Sequence, residues 1–270
     1  MSTTPFPRVN VLGVGVHAIN MQDAVEFLLD SAQQRRKGYV CVTGVHGIME
    51  AQQNRRFRQT LNDSLLTTPD GMPTVWVGKI SGYKKMNRVF GPDLMMNLCR
   101  DSCGRGLTHF LYGGAPGVAQ ELKRALEARC PGIKVVGTYT PPFRPLSIQE
   151  HLNLVRQVNE LKPDIIWVGL STPKQERFMA EYISKFHCSL MLGVGAAFDL
   201  HTGRMTDSPR WVKRSGLQWA HRLLQEPRRL WKRYLINNPK FLVAITAQLL
   251  GLRDYKLPST TTYIPNERAA

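Results

Sequence analysis

Up to about residue 200, short runs of apolar and β-branched residues alternate with longer stretches in which apolar positions recur at helical spacing. This alternation is typical of a parallel β-sheet whose faces are covered by helices. It predicts strands over residues 9–12, 39–43, 65–67, 108–112, 134–137, 165–169 and 190–194. It predicts helices over residues 21–36, 91–103, 116–129, 148–161 and 174–186. The predicted fold class is therefore α/β, with a Rossmann-like sheet.

The pattern changes after Asp199, where only helical periodicity continues. Helices are predicted over residues 209–215, 217–226 and 228–250. A chain of 270 residues can bury one substantial core, and two full domains would be crowded. We therefore predict an α/β domain over residues 1–203, a basic helical appendage over 204–256 and a disordered tail over 257–270.

Charge changes this picture, because a formal net charge of +16 requires an anionic partner. Nucleic acid, acidic lipid and a phosphorylated substrate all satisfy that requirement. Much of the excess lies in the predicted appendage, at Arg204, Arg210, Lys213, Arg214, Arg222, Arg228, Arg229, Lys232, Arg233 and Lys240.

Aromatic residues are interleaved with these charges, at Trp211, Trp219, Trp231, Tyr234 and Phe241. Such a helix can lie on lipid headgroups with its rings at the boundary. It can equally pack on the sheet as a helical hairpin whose charges are solvated, and composition alone does not separate the two.

The first residues lack a basic segment followed by an apolar core, and no apolar run approaches the ~18 residues of a spanning helix. We expect a cytoplasmic protein. Five cysteines argue against a disulfide framework. Cys99 and Cys103 are four residues apart on a predicted helix but lack a second pair of metal ligands, so we expect buried thiols.

Ligands of parallel α/β sheets bind beyond the carboxyl ends of the strands. Gly113 and Gly114 end one predicted strand, and Gly169 ends another. Backbone N–H groups that glycine leaves exposed at the N-terminus of a helix can bind phosphate. A tight turn from strand to helix also needs glycine, even where no ligand binds. Gln175, in the first turn of the helix after Gly169, would point to this edge or be solvated. Near the last strand, Gly195 permits close backbone approach.

Two carboxylates follow strands at the same edge. Asp199 could accept hydrogen bonds from a base or a ribose. Asp70 lies between Pro69 and Gly71 and could act as a general base that takes the proton from an attacking hydroxyl. A turn-forming Asp-Gly pair is the common alternative, and the residues alone favour it.

The chain contains blocks that share order and spacing with one enzyme family: TTPDGMPTVW, RVFGPDLM, FLYGGAPGVAQEL, PDIIWVGLSTPKQERFM, LMLGVGAAFDLHTGRM and LQWAHRLLQEPRRLWKRYL. It resembles the WecG/TagA/CpsF family of glycosyltransferases, glycosyltransferase family 26, from about residue 10 to about residue 240. The resemblance implies a GT-E-like fold and an inverting transfer, without a metal ion or cofactor, from a UDP-sugar to a polyprenyl-diphosphate-linked sugar. It implies a role in bacterial exopolysaccharide or cell-surface polysaccharide synthesis, with N-acetylmannosamine, glucose or a related sugar as donor.

The resemblance also implies roles for particular residues. Asp70 matches the proposed base, Thr43 and Gln175 match polar residues of the sugar site, and Arg88 matches an arginine that could face the phosphates. Tyr139 and Asp199 match the uridine side. The chain departs from the family at TGVHG, where Val45 replaces an asparagine of many members and His46 follows. This departure affects the sugar contact and hence the identity of the donor sugar. His46 is a candidate replacement, although a lone histidine is more often structural.

For the appendage, the resemblance implies association with the inner face of the cytoplasmic membrane and arginines brought over the active site. Arg222, Arg228 and Arg229 are the candidates, because forked guanidinium donors fit phosphate oxygens. An appendage that waits for lipid would allow a homo-oligomer whose assembly changes at the membrane.

Two other classes compete with this interpretation. A basic nucleic-acid-binding α/β protein without enzymatic activity would suit the charge, yet no recognition helix, zinc spacing or aromatic RNA-binding motif is found. We therefore expect no nucleic-acid partner. A Rossmann oxidoreductase requires an early glycine fingerprint, and VLGVGVHAI supplies too few glycines and no following helix start.

Overall fold

A computed structural model describes residues 4–209, 212 and 216–257, except for the side chains of Arg229 and Arg233. The strands are β1 Arg8–Val11, β2 Val14–His17, β3 Gly38–Thr43, β4 Leu66–Pro69, β5 Thr108–Gly113, β6 Lys134–Tyr139, β7 Ile165–Gly169 and β8 Leu190–Gly193. The helices are α1 Met21–Gln33, α2 Val45–Gln53, α3 Arg55–Asn62, α4 Met72–Ile80, α5 Gly91–Ser102, α6 Val118–Arg129, α7 Ile148–Leu161, α8 Lys174–Tyr182, α9 Ala197–His201, α10 Gln218–Gln225 and α11 Pro227–Leu249.

Six of the strands form one sheet in the order β4-β3-β8-β7-β5-β6, and each neighbouring pair is parallel. The predicted α/β, Rossmann-like fold is confirmed. Because all six strands run the same way, their carboxyl ends share one edge, with β4 and β6 at its two extremes. The central strands β8 and β7 are buried on both faces, which explains their continuous apolar sequence.

The prediction that residues 9–12 belong to the main sheet is wrong. β1 pairs only with β2, in an antiparallel hairpin. Leu12 and Gly13 form its two-residue turn, with φ of 53° and 79°, as a primed turn requires. The apolar periodicity of residues 9–12 predicts a strand but does not show which strand pairs with it. Gly13, directly after Leu12, was the hairpin signal that the prediction missed.

Helices cover both faces of the sheet. One core packs α1, α5, α6 and α9 against sheet residues that include Trp167 and Leu111. Its interior holds His109, which accepts a hydrogen bond at Nδ1 from Trp167 Nε1 at 3.0 Å. Burial lowers the pKa of His109 to about 4, so this histidine is neutral and structural at pH 7.

The second core packs α2, α3, α4, α7 and α8 on the other face, together with the hairpin. The C-terminal helix α11 contributes Phe241 and Ile245 to this core. Gln248 joins α11 to the hairpin, accepting from Leu12 N at 2.8 Å and donating to Asn10 O at 2.7 Å. The C-terminal half of α11 therefore stabilises the α/β layers directly. The domain boundary predicted at residue 203, between the α/β domain and the appendage, stays a prediction.

The helices predicted over residues 217–226 and 228–250 correspond to α10 and α11. The helix predicted over 209–215 falls mostly outside the described residues, as does the predicted tail beyond residue 257. Within the described ranges, no helix has the length and apolar character to cross a bilayer. Cys41, Cys99 and Cys130 are buried free thiols, and burial raises the pKa of Cys99.

Candidate active site

Asp70 stands at the carboxyl edge, directly after β4. Its backbone N–H donates to Thr43 O at the end of β3, at 2.9 Å. A Cβ on Gly44 would come within 2.3 Å of Asp70 O, so only glycine allows these two loops to approach so closely. Gly71 then turns the chain into α4 with φ of 105°. The loop is thereby fixed, and the Asp70 side chain is 32% exposed.

Arg88 lies beside this carboxylate, although 18 residues separate the two in the chain. Its Nη2 donates to Asp70 Oδ1 at 3.3 Å and also to Gln218 Oε1 of α10. Its guanidinium carbon lies 4.3 Å from the centre of the Phe90 ring. The structure therefore brings the proposed base and the proposed phosphate-facing arginine together, and it adds Gln218, which no sequence pattern indicated.

Thr43 occupies the last position of β3, next to Asp70. It is 2% exposed, and its hydroxyl has no hydrogen-bond partner among the described residues. Buried hydroxyl groups are nearly always paired, so a ligand could supply the missing partner only by displacing the groups that enclose this oxygen. A Cβ on Gly47 would come within 3.1 Å of Thr43 Cγ2, which shows how tightly the first turn of α2 closes over it.

His46, on the same turn of α2, faces the C-terminal helix. Its Nδ1 lies 3.3 Å from Asn237 Nδ2 of α11 and 3.9 Å from Glu50 Oε1. The ring therefore links α2 to the predicted appendage. Its use as a sugar contact in place of the missing asparagine stays a prediction.

Gln175 connects two loops of the edge from within the protein. Its Oε1 accepts from Gly195 N at 3.0 Å, and its Nε2 donates to Glu176 Oε1 at 3.1 Å. It is 3% exposed, which excludes the solvated alternative. Glu176, which was not predicted, is also buried and accepts from Thr172 Oγ1 at 2.8 Å. Direct contact between Gln175 and a sugar stays a prediction.

The glycines at the carboxyl ends of β5 and β7 satisfy packing requirements. Gly113 has φ of 123°, and a Cβ there would lie 2.6 Å from Gly169 O. A Cβ on Gly169 would lie 2.7 Å from the Phe198 ring. Gly114 donates its N–H to Gly169 O at 3.1 Å. The tight-turn alternative accounts for these residues, and their role as a phosphate cradle stays a prediction.

Tyr139 ends β6, at the opposite extreme of the edge from Asp70. Its ring stacks on Tyr112 with centroids 5.7 Å apart, and burial raises its pKa. Five strand spacings of about 4.8 Å place these two ends about 24 Å apart. Asp199 lies between them in the sheet order, half-buried on α9 after β8. Such an edge accommodates an extended ligand.

The candidate arginines of the appendage are placed differently from one another. Arg222 lines a small cleft with Phe90 and Gln218, and its buried Nε has no hydrogen-bond partner within the part of the chain that the structure describes. Arg228 is exposed on the first turn of α11. The side chain of Arg229 lies outside the described residues. Only Arg222 is thus shown near the group around Arg88.

Residues 9–255 match the model of the glycosyl transferase WecG/TagA/CpsF family. The chain is 30% identical over 212 residues to an N-acetylglucosaminyldiphosphoundecaprenol N-acetyl-β-D-mannosaminyltransferase of Bacillus spizizenii, covering 78% of this chain and 80% of the relative. It is 27% identical over 192 residues to a protein of the same name from Bacillus subtilis, covering 71% and 72%.

Proposed function

The chain belongs to the WecG/TagA/CpsF family of glycosyltransferases, and from that premise we propose that it transfers a sugar from a UDP-sugar to a polyprenyl-diphosphate-linked sugar with inversion at the anomeric carbon. The names of the two Bacillus relatives support an acceptor of this lipid-linked class. They make N-acetylmannosamine the first donor sugar to test, with glucose and related sugars as alternatives. The product would enter exopolysaccharide or cell-surface polysaccharide synthesis.

The observation that carries this proposal is the Asp70–Arg88 pair beside the unpartnered hydroxyl of Thr43. A single displacement needs a base for the acceptor hydroxyl and a cation or hydrogen-bond donors for the departing diphosphate. Asp70 is the only one of the three that can accept a proton at neutral pH. Arg88 carries the fixed positive charge, and the buried Thr43 hydroxyl would bond a sugar oxygen that reaches the end of β3.

We assign stabilisation of the departing UDP to arginine and not to a metal ion. Arg88 stands at the edge, and Arg222 lines the neighbouring cleft. Their guanidinium groups bind phosphate oxygens in a forked geometry and stay charged throughout the reaction. Across the described ranges, no three His, Cys, Asp or Glu side chains are grouped to hold a metal; activity in the presence of chelator is the separate test of this assignment.

The acceptor would be reached at the inner face of the cytoplasmic membrane. Trp231, Leu235 and Leu242 are 46%, 57% and 58% exposed on α11. Their spacing of four and seven residues places them on one side of the helix. Arg228, three residues before Trp231, can meet acidic headgroups beside this apolar stripe. We propose that this surface, the α11 stripe, rests on the lipid that holds the acceptor.

The purified protein should form a disaccharide from one of a panel of UDP-sugars and a short polyprenyl-diphosphate N-acetylglucosamine. Mass spectrometry identifies the sugar that is added, and NMR of the new linkage reports its anomeric configuration. We expect inversion and unchanged turnover in EDTA. Retention of configuration would contradict the mechanism. No transfer from any donor, combined with salt-sensitive binding of duplex DNA, would instead favour a nucleic-acid-binding protein.

A further inference from the structure

Gln218 contacts the same guanidinium nitrogen of Arg88 that contacts Asp70. Arg88 Nη2 donates both to Asp70 Oδ1, at 3.3 Å, and to Gln218 Oε1. Hydrogen bonds from a guanidinium to a carboxylate are normally about 2.7–2.9 Å long. The ion pair is therefore loose, and the group that shares its donor is the neutral amide of Gln218.

Arg88 has few other restraints. Its buried Nε has no hydrogen-bond partner in residues 4–209, 212 and 216–257, and the guanidinium rests on the Phe90 ring. Among the described residues, Asp70 and Gln218 are the acceptors that its side chain contacts. Loss of the amide acceptor would leave Asp70 as the acceptor onto which the guanidinium can close.

The Gln218 side chain is itself held in place. It is 9% exposed and opens α10, two residues after Gly216. A Cβ on Gly216 would lie 3.2 Å from the Trp76 ring of α4, so the chain entering α10 packs closely on the main domain. The amide is therefore fixed beside Arg88 by helix packing.

We propose that Gln218 is a positioning residue, which holds the Arg88 guanidinium away from full pairing with Asp70 so that the carboxylate can accept the proton of the acceptor hydroxyl. An amide suits this purpose because it accepts a hydrogen bond without neutralising the arginine. Arg88 then keeps its charge for the diphosphate, and Asp70 keeps an oxygen for the acceptor. This inference rests on the proposed function.

Replacing Gln218 with methionine keeps the length of the side chain and removes the acceptor. Because Arg88 then closes onto Asp70, we expect kcat to fall at least tenfold, as small displacements of catalytic groups do. The KM for the UDP-sugar should change less than threefold.

Gln218→Glu restores an acceptor for Arg88 but neutralises the arginine, so we expect the KM for the UDP-sugar to rise, in contrast to Gln218→Met. The matched control is Gln225→Met, on the same helix. Gln225 donates to Thr206 O at 3.0 Å and does not contact Arg88. This variant therefore removes a hydrogen bond that holds α10 while leaving the contacts of Arg88 in place. Wild-type kinetics in Gln218→Met, or an equal loss in both methionine variants, would overturn the inference.

A crystal structure of Gln218→Met tests the same inference without turnover. The Arg88 Nη2 to Asp70 Oδ1 distance should shorten to about 2.8 Å, and an unchanged distance would overturn the positioning role. A wild-type enzyme that transfers no sugar would overturn the proposed function, while this distance would still decide whether Gln218 restrains Arg88.

Discussion

Asp70→Asn should abolish sugar transfer while leaving the binding of UDP nearly intact. General-base catalysis contributes about 10²–10⁴-fold, so kcat should fall by about that factor. Asparagine has the same shape and can still accept the hydrogen bond from Arg88, so the loop and the arginine should stay in place. The base acts on the acceptor, and the Kd for UDP should therefore change less than about threefold, as measured by calorimetry.

Asp101→Asn is the matched control for this variant. Asp101 is exposed in the last turn of α5, at the opposite end of the helix from Gly91, which packs against Val194 after β8, so the same chemical change should leave both kcat and UDP affinity unchanged. Turnover at the wild-type rate by Asp70→Asn would remove this carboxylate from the role of base. Loss of UDP binding in step with loss of turnover would instead indicate that the substitution disturbs the donor site.

Replacing Trp231, Leu235 and Leu242 together with serine should release the protein from membranes. Burial of one large apolar side chain is worth about 1.5–3 kcal/mol, and each 1.4 kcal/mol is tenfold in affinity. Even partial burial of three such groups gives at least a tenfold loss of binding to vesicles that contain acidic lipid. Vesicle sedimentation measures this directly, and transfer to a long-chain acceptor embedded in vesicles should fall with it.

The control is the double substitution Ile148→Ser and Leu152→Ser, which removes exposed apolar groups from α7. These residues are 84% and 56% exposed, so this variant removes an amount of exposed apolar surface comparable to that removed from α11. Equal sedimentation of both variants would count against the α11 stripe. Deletion of everything after residue 203 is a poorer test, because it also removes Phe241 and Ile245 from the core.

Much of the fold could be predicted because buried parallel strands leave a strong signal. Residues 165–169 and 190–194 are unbroken apolar runs. Strands have such runs when helices cover both faces of a sheet. Helices α2, α3 and α4 escaped prediction: Asn54 alone separates α2 from α3, and α4 begins within the TTPDGMP segment, whose proline and glycine residues indicate a loop. The hairpin escaped because its register depends on a two-residue turn rather than on periodicity.

The candidate site, like the fold, could be predicted only in part. Asp70 and Arg88 were predicted through the family pattern, but their contact depends on how the loop after β4 folds against the segment before α5. Gln218 is 130 residues from Arg88 and lies in a segment whose periodicity indicates only a helix. Glu176 was not predicted because buried carboxylates are rare, and its burial depends on hydrogen bonds from Thr172 and Gln175.

The central claim, that UDP lies along the carboxyl edge with Asp70 facing an acceptor at one end, is tested most directly by a crystal structure of the UDP complex. We expect the diphosphate within about 3 Å of the Arg88 guanidinium, with the uracil on the side of the diphosphate that leads to Tyr139. The Asp70 carboxylate should face open space beside the diphosphate. A uracil packed against Asp70, or a nucleotide bound away from this edge, would contradict the account.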